Sequence, residues 1–406
     1  MAIITSRTGT DRTIYLDNSA TTRPYDEVID RMTEIYREHY GNASSLHAIG
    51  FDAGNILVRA RKQLEEQFPP GGQVVLTSGG TEADNLAIFG AARKLRRRGN
   101  KIITTAVEHP AVLECCKRLE EEGFEVVRLR VDVDGYVEPQ ALKAVLDERT
   151  ILVTMMAVNN EVGTIEPVLP CRRIVQEFNR EHRTGILFHT DAVQAFGKLD
   201  FSDVPFDMIS ISGHKFHGPK GVGALYVRKG LALPPHILGG GQEDGLRSGT
   251  ENVPGIAGIG LAAEIACESL QEKIRRIAEV NDYLLRGLMD GLSDVLLNGP
   301  VSQGYSLQEY GKRCPSVLNL SFLGTRGEVL LHTLEQDGIY VSTGSACHSH
   351  KTGDSHVLQA MSLDHKEIEG AIRFSFSEWN TLSEMDFVID RVRKAVTRFR
   401  RLGSFR

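Results

Sequence analysis

Between Val74 and Lys229, short β-rich apolar runs alternate with stretches whose apolar positions recur at helical spacing. QVVLTS precedes TEADNLAIFGAARKLRRR, and KIITTAV precedes HPAVLECCKRLEEEG; EVVRLRV, TILVTMMAV, the helical CRRIVQEFNREH, GILFHTDA, DMISIS and GALYVRK continue the alternation. Such a pattern predicts an α/β fold: βα units building a mostly parallel sheet between helices, with sites at the carboxyl ends of the strands. After the glycine-rich LGGGQEDGLRSGTENVPG the texture changes to a long helical run, roughly Ile256 to Ser293. VLNLSFLG, a helix near Gly327 to Glu335, GIYVSTGS and further helical sequence follow. We place a boundary near Leu261, so that residues 16–261 form a large unit and residues 1–15 and 262–406 a smaller α+β unit. The last helix carries Ile389, Val392, Val396 and Phe399 on one face and a basic run elsewhere, the pattern of a solvated face.

A chain of 406 residues is long for one core, which fits two units. With 41% hydrophobic and 25% charged residues, the composition is that of an ordinary globular protein. The formal net charge of -6 argues against nonspecific nucleic-acid binding through the whole surface. No apolar stretch approaches the ~20 residues that span a bilayer, and the start lacks a secretory apolar core, so no membrane association and a cytoplasmic location are expected. Six scattered cysteines without a C-x-x-C pair imply reduced thiols.

The chemistry collects at strand ends. VVLTSGGTEADNLAIF reads strand, glycine turn, helix, leaving the amides of Gly80 and Thr81 at a helix N-terminus suited to an anion. A plain turn with an N-cap explains the same residues equally well, and the spacing is not that of a P-loop. DMISISGHKFHGPKG sets Lys215 just past a β-run, a Schiff-base candidate flanked by Ser212 and His214, which are suited to phosphate. GILFHTDAVQ ends a strand with Asp191, followed by Gln194; a carboxylate there suits a protonated pyridine nitrogen, or simply caps the next helix. His109 and Asn160 also sit just past β-runs, where one could stack on a cofactor ring and the other bond its oxygen, or they could be simply a satisfied histidine and a turn asparagine.

These segments resemble the cysteine desulfurase and selenocysteine lyase branch of the class V aminotransferases, fold-type I enzymes that use pyridoxal 5'-phosphate. The match runs from YLDNSATT through GNASSLH, TSGGTEADNLAI, EHPAVLE, VNNEVGT, HTDAVQ, SGHKFHGPKG, GGGQEDGLRSGTEN and STGSACHS to AIRFS. The resemblance implies that Lys215 holds the cofactor, Asp191 pairs with its ring nitrogen and His109 stacks on the ring. Asn160 and Gln194 would contact the ring-hydroxyl side, and Gly80, Thr81, Ser212 and His214 the phosphate. Thr250 would reach the phosphate of a neighbouring subunit, implying a homodimer. Arg373 would clamp the substrate carboxylate, with Asn18 helping to shape that pocket. Cys347, beside Gly344, His348 and His350, matches the family's sulfur-accepting nucleophile, so L-cysteine would be converted to L-alanine with a persulfide left for a sulfur-acceptor protein. A turn cysteine or a zinc site are alternatives for Cys347, although C-H-x-H crowding suits zinc poorly. Selenocysteine lyase, an inert scaffold and a plain aminotransferase are the rival functions. Two departures stand out: Ser377, Glu378 and Trp379 follow where relatives continue with Gly-Arg, and Pro315-Ser316 replaces a Pro-Asn pair.

Overall fold

The computed structural model describes residues 13–343 and 354–403. Cys347, Gly344, His348 and His350 lie outside the described residues. In chain order the first elements are β1 (Ile14–Tyr15), α1 (Asp26–Glu38), α2 (Ala48–Glu65), β2 (Gln73–Thr77), α3 (Gly80–Leu95), β3 (Lys101–Thr105) and α4 (Pro110–Glu121). Next come β4 (Glu125–Leu129), α5 (Pro139–Val145), β5 (Thr150–Thr154), α6 (Val168–His182), β6 (Leu187–Asp191), β7 (Met208–Ser212), β8 (Gly223–Val227) and α7 (Val253–Cys267). The rest comprises α8 (Leu270–Gly291), β9 (Val295–Asn298), β10 (Val317–Phe322), α9 (Gly327–Gln336), β11 (Ile339–Tyr340), α10 (His356–Ala360), α11 (His365–Glu369), β12 (Ala371–Ser375) and α12 (Leu382–Arg401).

The main sheet has the order β2-β8-β7-β6-β5-β3-β4. β4, β3, β5, β6 and β7 run parallel, and β8 pairs antiparallel with both β7 and β2. Its central strands read as unbroken buried runs, such as MISIS and GALYV, because helices cover both faces. α3 and α4 pack on one face and α7, braced by α1 and α2, on the other. Close helix packing explains a glycine here: a Cβ on Gly260 of α7 would lie 2.8 Å from Ala60 Cα in α2. A second glycine matters for the site, since a Cβ on Gly223 of β8 would stand 2.7 Å from Gly79 Cα, where the turn into α3 crosses β8.

A separate core is built on the three-stranded sheet β12-β10-β9, with α8, α9 and α12 packed against it. Ile14 and Leu16, from the start of the described chain, belong to this core, and β1 pairs in parallel with β11. The predicted helical run from Ile256 is two helices, broken where Ser269 adopts a left-handed conformation. Leu261 falls inside α7, which packs with the large core along its length; the chain enters the second core at Ile274. Among the described residues, no single helix is long and apolar enough to cross a membrane.

Candidate active site

One cavity of about 260 Å³ opens where the carboxyl ends of β5, β6 and β7 meet the N-terminus of α3 and the segment Asp17–Thr22. Lys215, Asp191, His109 and Asn160 line it. So do Gly80, Thr81, Gln194, Ser212, His214 and Arg373. Ten of the sequence-predicted residues, drawn from six segments, therefore converge on one space, as strand-end chemistry in an open α/β sheet requires.

Lys215 sits in a single helical turn just after β7. Its Nζ donates to the carbonyls of Ser19 at 2.5 Å and Ala20 at 2.9 Å, so the first segment of the chain cradles the amine. Asp191 ends β6 with its side chain buried, and Oδ1 accepts from the Val193 amide at 2.8 Å. Burial raises its pKa, opposed by that hydrogen bond and by the Lys215 charge.

Beneath it lies Asp84, 1% exposed, whose pKa burial and then the Asp191 charge push well up. Asp84 Oδ1 and Ser19 Oγ are buried on the cavity wall without a hydrogen-bond partner among the described residues. Below them His189 Nδ1 meets Thr154 Oγ1 at 2.8 Å and Nε2 meets Ser210 Oγ at 2.9 Å. Burial drives the His189 pKa down to about 3, so this ring is neutral.

His109 caps α4, ahead of Pro110, and its Nδ1 accepts from the Ala111 amide at 3.1 Å. That bond leaves Nδ1 unprotonated and fixes the ring at the cavity wall. At the opposite end, the first amides of α3 have no acceptor within their own helix, and Thr81 and Ser212 stand beside them. His214 Nδ1 lies 3.2 Å from Thr21 Oγ1, and burial, with Lys215 next, pushes its pKa down to about 4.

Arg373, on β12, reaches over from the second core with a side chain only 3% exposed. Its fork is partly engaged: Nη2 donates to Asp17 Oδ1 at 2.9 Å and Nη1 to the Asn160 carbonyl at 3.1 Å. Asp17 was not singled out in the sequence, because nothing local links it to a residue 356 positions away.

Two predicted residues do not line this cavity. Asn18 is buried, and its Nδ2 donates to the carbonyls of Tyr15 and Ser375, tying the start of the chain to β12. Thr250 lines a different hollow, with Ser78, Arg247 and Glu243. The two departures also have structural settings. Trp379 packs edge-on against His217, with centroids 4.5 Å apart, and against Tyr25 at 5.7 Å. Ser316 is buried, its Oγ 3.3 Å from Cys314 Sγ.

The family model described as Aminotransferase class-V matches residues 14–388. A protein named cysteine desulfurase IscS from Dictyoglomus turgidum is 41% identical over 97% of both chains. Another of that name, from Methanosarcina thermophila, is 41% identical over 97% of this chain and 94% of its own. Among solved structures, a NifS-like protein superposes with a TM-score of 0.84 at 40% identity, covering 95% of this chain and all of the other. DndA from Streptomyces lividans gives a TM-score of 0.71 at 35% identity over 89% of this chain and 99% of its own. The chain belongs to the class-V aminotransferase family.

Proposed function

We propose that this protein is a pyridoxal-phosphate-dependent cysteine desulfurase, converting L-cysteine to L-alanine and leaving the sulfur as a persulfide on Cys347. One observation carries the reading: a primary amine, a buried strand-end carboxylate, a capped imidazole, a helix N-terminus and an arginine face the same cavity. Full-length relatives at about 40% identity named cysteine desulfurase support it.

The residues present fit pyridoxal phosphate. The amine of Lys215 and the carboxylate of Asp191 stand on one wall, and the orphaned Ser19 Oγ leaves a polar atom needing a partner. Bound there, the cofactor supplies an electron sink for the pair left on the substrate's α-carbon when its proton departs.

This chain's own residues do the rest. Lys215 would tether the cofactor, and its amine is the group placed to move the substrate's α-proton. Asp191, its Oδ1 held by the Val193 amide, would keep a proton on the ring nitrogen. His109 covers a ring face. Thr81, Ser212, His214 and the α3 amides around Gly80 hold the phosphate by hydrogen bonds. Asn160 and Gln194 serve the ring oxygen, while Arg373 takes the substrate carboxylate. Asn18 acts at one remove, by fixing the segment whose carbonyls cradle Lys215. The Cys347 thiolate attacks the substrate's sulfur, the carbon–sulfur bond breaks with its electron pair returning to the substrate carbon, and protonation there yields alanine. The sulfur then passes to an acceptor protein.

The larger unit carries the cofactor machinery, and the smaller carries Arg373 and Cys347. The active assembly is a homodimer: Tyr36, Tyr40, Leu46, Phe51 and Val58 expose an apolar surface on and around α1 and α2. Thr250, outside its own cavity, serves the partner's phosphate. The enzyme works in the cytoplasm. Incubating the purified protein with L-cysteine, and separately with L-selenocysteine, while following alanine and persulfide on Cys347 tests the reading. Alanine formed from cysteine with Cys347 persulfide supports it; turnover of selenocysteine alone refutes it.

A further inference from the structure

Lys198 is a buried lysine that the chemistry above does not use. It lies four residues after Gln194 in the turns that follow β6, only 8% exposed. Burying an ammonium is costly unless a partner repays the lost hydration, and burial pushes its pKa down to about 8. Among the described residues its one polar side-chain partner is Oε1 of Gln194, at 3.2 Å. Gln194 Nε2 in turn donates to the Ser19 carbonyl at 2.9 Å, the same carbonyl that receives Lys215 Nζ.

The donor inventory makes this chain directional. An ammonium has three donors and no acceptor, so it meets the amide only through its oxygen. That forces the NH2 of Gln194 to the other side, toward Ser19 and the cavity that Gln194 lines. One amide hydrogen goes to Ser19, and the second is left for whatever the cavity holds.

We propose that Lys198 is a positioning residue that locks the Gln194 amide so that the cavity presents a hydrogen-bond donor, and not an acceptor, to the ring oxygen of the bound cofactor. The proposal rests on reading the cavity as a pyridoxal-phosphate site. Without the lysine only the bond to Ser19 orients the amide, and its terminal torsion, broad and roughly two-fold in itself, is less firmly set toward the donor-facing state.

The test is equilibrium binding of pyridoxal phosphate to the apo-enzyme by fluorescence quenching, with thermal midpoints of the apo-proteins recorded alongside. Lys198→Met keeps the bulk and removes the donor, and is expected to weaken binding about tenfold, the worth of one hydrogen bond to a charged group. Gln194→Ala should cost about as much, and the double variant little more than either, since both remove the same donor. Gln194→Glu satisfies the lysine but offers no donor, and should also weaken binding. Wild-type affinity in Lys198→Met, even with a lowered thermal midpoint, overturns the proposal by making the lysine merely structural. Additive losses overturn it as well. Failure of the wild-type protein itself to bind the cofactor would instead bring down the reading of the cavity.

Discussion

Replacing Asp17 with Asn probes the least expected contact in the site. In the free protein Arg373 is nearly inaccessible and its Nη2 is committed to Asp17, itself 22% exposed at the side chain. On the proposed reading, a substrate carboxylate arriving at the same guanidinium would meet a carboxylate already in residence. Breaking a fully buried ion pair costs about 3–5 kcal/mol. Asp17 is partly solvated and Asn retains an acceptor oxygen, so we expect about 2 kcal/mol of lost stability. Two carboxylates about 5 Å apart repel by about 3 kcal/mol at an effective dielectric constant of 20. Screening at physiological salt reduces that to about 1–2 kcal/mol. Asp17→Asn should therefore bind L-cysteine about 5–30-fold more tightly while unfolding earlier. A Cys347→Ala background, which binds substrate without turning it over, allows affinity to be read from the cofactor's absorbance, free of kinetic terms. Weaker binding in Asp17→Asn would show that Asp17 aligns the guanidinium for the substrate, and the competition argument would be wrong.

Cys347→Ala should keep the cofactor's visible absorbance and lose alanine formation from cysteine by at least about 100-fold, measured by amino-acid analysis. Glu108 is buried, and burial raises its carboxyl to about 8 from 4.5, so the folded chain keeps a proton that the unfolded chain releases. Stability from this group is therefore lost as pH rises from 4.5 to 8, and Glu108→Gln should gain in thermal midpoint on wild type between pH 5 and pH 8; a constant difference would count against the assignment. Trp379→Ala removes edge contacts to His217 and Tyr25 and should cost about 1–2 kcal/mol in denaturant unfolding without changing cofactor affinity. If Thr250 serves a partner subunit as proposed, Thr250→Ala should weaken cofactor retention, read by dialysis and absorbance; unchanged retention would remove that role.

Much of the site was legible because its residues fall at the carboxyl ends of apolar runs, and a parallel sheet brings such ends together whatever the loops do. The meeting of Asp191 and Lys215 on one cavity follows from that rule, while the roles proposed for them rest on the family resemblance. What escaped depends on register between distant segments. Asp17 meets Arg373, and Asn18 meets Ser375, only because β1 leads into the second core beside β12. Lys198 reads as an ordinary lysine after a helical turn, and only its burial against Gln194 gives it meaning. The small residues of α7 fit it against α2, a packing relation that a change of sequence texture does not reveal.

The carbonyl of Ser19 cradles the Lys215 amine, and the Ser19 amide is itself held by Ser375 Oγ at 2.8 Å, a contact closed across 356 residues. A chain emerging from the ribosome can complete the main sheet long before β12 exists, but the segment that cradles its lysine, held until then by Gln194 and His214, gains its last anchor only when that strand has appeared. Full tethering of the cradle is thus deferred to the last stage of synthesis, and chains truncated before Ser375 should fold their first core yet hold the aldehyde more loosely.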